Sequence, residues 1–156
     1  MSSWSAIPQV DVVAAKCVWL NHELVNLFGG LHTPQAPDVC LEKVISAAQN
    51  AEYYAGNEDS SGLCYIGALM FYVIEGHCFL DGNKRTGLSI ALWLLKRFGL
   101  TMSCSQEDAR DYCLAIASGL RTREQVVIWI AEHLIAIEVE PEPEPPSGRR
   151  IKGTDA

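Results

Sequence analysis

Between Gln9 and Phe28 the apolar positions Val13, Cys17, Leu20, Leu24 and Leu27 recur at spacings of four and three, the stripe of one helix. Gly29-Gly30 ends it, and "LHTPQAP" cannot continue it, because prolines and paired glycines break the helical ladder. Asp38 offers an N-cap for a second helix that runs to about Tyr54 with Leu41, Val44, Ile45 and Ala48 on its buried face. Ser60 or Ser61 can cap a third, "GLCYIGALMFYVIEG", which is apolar nearly all round and so belongs at the centre. A second such segment, "RTGLSIALWLLKRFG", has Lys96 and Arg97 in its last turn and Gly99 as its stop. Ser105 with Asp108, and Thr122 with Gln125, begin two more helices as capping boxes, the last carrying Val127, Ile130, Leu134 and Ile137 on one face.

This pattern predicts a mainly all-α domain of about six helices over residues 1–137, without internal repeats. The one place it leaves for β structure is a short hairpin in the loop between the first two helices. From Glu138 the chain reads "EVEPEPEPPSGRRIKGTDA", and its prolines and charges predict a flexible acidic tail over 138–156. A length of 156 residues suits a single core, and 49% hydrophobic with 20% charged residues excludes a mostly disordered chain. The formal charge of −7 argues against general nucleic-acid binding, so any anion site is local. Six cysteines without a C-x-x-C pair read as small buried hydrophobes of a reducing cytosol. The start "MSSWSAIPQV" lacks the basic and apolar regions of a signal peptide, and the longest apolar run, Leu63 to Ile74, is too short for a membrane span. The expectation is a cytoplasmic protein with no membrane partner.

Between the two most apolar helices stands "HCFLDGNKRTGL", His77 to Leu88. A plain chain reversal has no use for a histidine, a carboxylate and two adjacent cations. A helix beginning near Asn83 turns free backbone N–H groups and the positive end of its dipole toward whatever lies in front, and Gly82 lets that backbone come close. Asn83 can cap the helix or donate from its side chain, and Lys84 and Arg85 add donors suited to phosphate oxygens. Cations at a helix N-terminus oppose the dipole, so they ask for a compensating anion. Asp81 repels phosphate unless Mg²⁺ joins them, as that ion commonly uses one or two carboxylates plus substrate phosphates. His77 is the natural general base for a hydroxyl attacking phosphorus, and Phe79 packs inward to fix the loop. His22, His32 and His133 have no comparable surroundings in the sequence. The spacing excludes a P-loop, since five residues separate Gly76 from Gly82 and Asn83 intervenes before Lys84.

At these positions the chain resembles the Fic/Doc family, whose motif begins His-x-Phe-x-(Asp or Glu) and continues Gly/Ala-Asn-(Gly or Lys)-Arg. It stands here as His77, Phe79, Asp81, Gly82, Asn83, Lys84 and Arg85. Lys84, where AMP-transferring members usually carry Gly, and Leu88, where they carry a second Arg, direct the resemblance to the Doc (death-on-curing) branch. That branch implies a toxin of a toxin–antitoxin module, a kinase moving the γ-phosphoryl of ATP to a threonine of elongation factor Tu and stopping translation. The resemblance implies His77 as base, Asp81 as the Mg²⁺-linked acid, and Gly82, Asn83, Lys84 and Arg85 as phosphate contacts, with Arg85 also in the transition state. Gly82, where Doc relatives often have Ala, keeps AMP transfer as the alternative, and a non-catalytic interaction protein is the third reading. Self-restraining relatives carry a helix of the form Ser/Thr-x-x-x-Glu-Gly/Asn. Glu75-Gly76 fits its end, but Phe71 occupies its start, so inhibition by an antitoxin in trans is expected.

Overall fold

The computed structural model describes residues 7–53 and 58–137. Six helices and two short strands follow one another: α1 (Val10–Phe28), α2 (Asp38–Tyr53), α3 (Glu58–Gly76), α4 (Asn83–Lys96), β1 (Leu100–Met102), α5 (Gln106–Ala117), α6 (Arg123–Glu132) and β2 (Leu134–Ala136). The all-α class and the helix number agree with the hydrophobic pattern. The expected tail over 138–156 lies outside the described residues.

α3 is the axle. Its residues Tyr65 to Met70, with Val73 and Ile74, are buried, and α2, α4, α5 and α6 all pack against it, as an all-apolar circumference requires. α2 contributes the four predicted residues Leu41, Val44, Ile45 and Ala48. α4 lies against α3 so closely that a Cβ on Gly87 would come within 3.1 Å of the Met70 carbonyl oxygen and closer still to Ile74. A glycine there fixes the spacing of the two helices that flank the motif loop.

Several boundaries differ from the sequence pattern. α3 begins at Glu58, ahead of the serines taken as its cap. The buried line of α1 is Val13, Cys17, Asn21 and Val25, while Leu27 is exposed. Spacing by four carries that line through a polar residue, and the next section gives the reason. The β structure is not in the segment between α1 and α2. It is an antiparallel pair of β1 with β2, in register Leu100 with Ala136 and Met102 with Leu134. The last helix therefore stops at Glu132, closed by His133, whose ring Nδ1 lies 2.7 Å from the Trp129 carbonyl oxygen. Val126, Trp129 and Ile130 form its buried face instead of the predicted Val127, Leu134 and Ile137 set, with only Ile130 common to both. Finally, Cys40 and Cys78 form a disulfide between α2 and the motif loop, with Cα atoms 5.6 Å apart. The reading of all six cysteines as free is thereby corrected. Cys17 and Cys113 are buried free thiols, and Cys64 and Cys104 are half-buried ones.

Candidate active site

The motif forms the connection from α3 to α4. His77 leaves α3 with φ of 49°, a left-handed conformation that histidine tolerates better than most residues. Its ring is exposed and makes no hydrogen bond or ion pair with the described residues. Cys78 and Phe79 turn inward and are buried. Phe79 is the predicted pin, and Asn83 holds it from the other side. The Asn83 carbonyl oxygen accepts from the Phe79 N–H at 3.1 Å, and its amide donates to the Phe79 carbonyl at 2.8 Å. The Asn83 side chain is therefore committed to the loop at both ends. It does not cap the helix, as one expectation had it, while its second amide N–H and its backbone N–H stay uncommitted.

Gly82, with φ of 82°, occupies the N-cap of α4, and no side chain caps the helix. The Thr86 N–H bonds back to the Gly82 carbonyl, so the N–H groups of Asn83, Lys84 and Arg85 are the first-turn donors that lie ahead of the intrahelical ladder. The two exposed cations diverge. Arg85 stacks over the Phe28 ring of α1 at 4.3 Å, a favourable cation–π placement. Lys84 lies on the side of α5, where its charge draws the Cys113 thiol down, although burial outweighs it and holds that thiol up at about 11. Between them, three backbone donors face forward from an uncapped helix end. This is the electrostatic setting of a phosphate site.

Asp81 faces the segment after α1. One carboxylate oxygen accepts the Leu31 N–H at 2.7 Å, and the Leu80 N–H donates to the Thr33 hydroxyl at 2.9 Å. Among the described residues no cluster of three or more His, Cys, Asp or Glu could hold a metal by itself. A single carboxylate with one oxygen engaged fits Mg²⁺ in the way that ion is commonly bound, together with substrate phosphates.

The residue that sequence reasoning missed is Asn21. Its amide, 3% exposed, donates to the Asp81 carbonyl at 2.8 Å and to the Thr86 hydroxyl at 3.2 Å, joining α1 to the loop and to α4. The signal was present as a polar residue four positions from each of Cys17 and Val25 on the buried line. His22 and His32, expected to be unrelated to the site, stack with ring centroids 4.5 Å apart. They line a small open pocket of about 90 Å³ with Asn21, Thr33 and Phe79, and His32 is hydrogen-bonded to Asn26.

The fold and loop together define a helical domain that presents an unengaged imidazole and a phosphate-receptive helix start from adjoining helix ends, as a group-transfer enzyme requires. The chain belongs to the Fic/DOC family, whose model matches residues 16–95, from within α1 to the end of α4. Members of that family are transferases that act on proteins and generally draw on nucleoside triphosphates. No curated protein matches the chain. No helix among the described residues is long and apolar enough to cross a membrane.

Proposed function

We propose that this chain is a Doc-like toxin kinase, transferring the γ-phosphoryl of ATP to a Thr or Ser hydroxyl of a target protein. By its resemblance to the Doc branch the target is elongation factor Tu, the outcome is arrested translation, and an antitoxin in trans restrains it. The observation that carries the reading is the start of α4, where uncapped backbone donors lie between diverging Lys84 and Arg85. Leu88, one turn on, packs against the core, so that position supplies no second cation for the nucleotide. The glycine that speaks for AMP transfer has another cause here. Gly82 has φ of 82°, and a Cβ on it would sit 3.0 Å from the Asn21 amide nitrogen.

In this reading the His77 ring takes the proton of the acceptor hydroxyl as its oxygen bonds to the γ-phosphorus. The bond from that phosphorus to the bridging oxygen breaks, and ADP leaves. The first-turn N–H groups with Lys84 and Arg85 receive the phosphate charge and hold the nucleotide in line. Asp81 holds the loop to the segment after α1 through one oxygen and offers the other to Mg²⁺, which when bound offsets phosphate charge. An antitoxin segment folding as a helix against the surface that exposes His77 would remove the base from its target.

The test uses a bacterial translation extract with Mg²⁺ and ATP labelled at either the γ- or the α-phosphate. Protein labelling from γ alone, reduced by roughly 10²-fold or more in His77→Ala, is the expected result. Labelling from α would assign AMP transfer. Label unchanged by His77→Ala would refute the role of the base.

A further inference from the structure

The motif loop is held in two unequal halves. Residues 79–83 are tied from three directions, by Asn83 onto Phe79, by Thr33 and the Leu31 N–H onto Leu80 and Asp81, and by Asn21 onto the Asp81 carbonyl. All of these partners lie on α1, on the segment after it, or on α4. None of them reaches His77. The side-chain tie next to His77 is Cys78, bonded to Cys40 in the first turn of α2. The same α2 meets the end of α3, where Val44 lies 3.2 Å from the position of a Cβ on Gly76.

We propose that the Cys40–Cys78 disulfide is a redox-controlled positioning link for His77, fixing that end of the loop when formed and releasing it when reduced. The proposal rests on the reading of His77 as the base. Because the hydrogen bonds over 79–83 do not involve Cys78, reduction loosens the base while the phosphate-receiving half stays in place. Cys40 is half-buried and Cys78 buried, so a small thiol approaches from the Cys40 side. Its thiolate bonds to the Cys40 sulfur as the disulfide breaks and Cys78 leaves as thiolate. A second small thiol then releases Cys40, forming the small-molecule disulfide. In sum, two thiols give two electrons and two protons to the protein. In a compartment that keeps thiols reduced, the linked and active form is the one made by oxidation.

The full chain is prepared oxidised with glutathione disulfide and reduced with excess dithiothreitol, and three quantities are compared. Alkylation with peptide mapping is expected to label Cys40 and Cys78 only after reduction. The His77 imidazole resonance, assigned with His77→Ala, is expected to shift or broaden on reduction, and to stay in its reduced position in Cys40→Ser under oxidant. Transfer is expected to fall by at least about tenfold in kcat on reduction, with KM for ATP held within about twofold. A His77 resonance unaffected by redox state, or alkylation of Cys40 and Cys78 without reductant, overturns the link. So does transfer that is equal in both states. If His77 responds but no transfer occurs in either state, the link stands and the kinase reading fails.

Discussion

Removing the amide of Asn21 should undo the join between α1, the loop and α4. In Asn21→Ala the Asp81 carbonyl loses the donor it now has at 2.8 Å, and the Thr86 hydroxyl loses one at 3.2 Å. An unsatisfied, partly buried acceptor costs about 1 to 3 kcal/mol. Thr86 adds little, because its hydroxyl can turn to the carbonyl one helical turn back. With the small void left by the missing carboxamide, the expected loss is about 2 to 3 kcal/mol. For a domain of this size that lowers Tm by roughly 6 to 9 °C. Asn21→Asp keeps the shape but supplies an acceptor facing a carbonyl, and should cost more near neutral pH. Burial raises the folded pKa of the new carboxyl. Its protonated form can donate, so the deficit should shrink as pH falls. Urea unfolding of both variants, with Glu23→Ala as an exposed control on the same helix, measures this directly. A loss in Asn21→Ala below about 0.5 kcal/mol, the range of ordinary surface changes, would refute the claim that Asn21 anchors the loop.

Gly82→Ala should lose about 1 to 3 kcal/mol in the same urea assay, because a left-handed φ and the nearby Asn21 amide both oppose a Cβ. Thr122→Ala removes a complete capping box from α6 and should cost about 1 kcal/mol by thermal unfolding, whereas Thr122→Ser should retain most of it. Burial pushes the free thiols of Cys17 and Cys113 up to about 12 and about 11. Raised folded values mean stability that is fully present below the unfolded thiol range and lost as pH rises through the folded pKa. The unfolding free energy should therefore fall between about pH 9 and 11 by roughly 1.4 kcal/mol per pH unit for each thiol. Cys17→Ala should flatten that slope even though it lowers stability at pH 7, and an unchanged slope would refute the assignment.

Much of the fold was legible because it is local. Leu41, Val44, Ile45 and Ala48 repeat as a helix must, and Ser105 and Thr122 accept from the backbone of the residues that their spacing indicated. The motif was legible because its chemistry is concentrated in nine consecutive residues, His77 to Arg85. What stayed hidden depends on distant partners. Leu134 and Ile137 continue a helical spacing on paper, yet the chain gains more by pairing Leu134–Ala136 with Leu100–Met102, and three-residue strands carry no periodicity to reveal that. Leu24 and Leu27 kept the apolar count of α1 consistent, while the loop sixty residues away drew Asn21 inward in their place. Spacing alone could not pair Cys40 with Cys78, since connectivity does not follow from sequence.

The near contact of Gly87 with Ile74 and the Met70 carbonyl lies in the buried seam between α3 and α4, within a turn of the residues that flank the loop. The reach between the histidine end of α3 and the cationic end of α4 is thus gauged by the frame, and the loop spans a gap already measured for it. Lys84 is exposed at that opening and carries no packing duty. A lineage could therefore vary this side chain at the mouth of the loop and keep the same scaffold, so that change at the site would not have to pass through a destabilised frame.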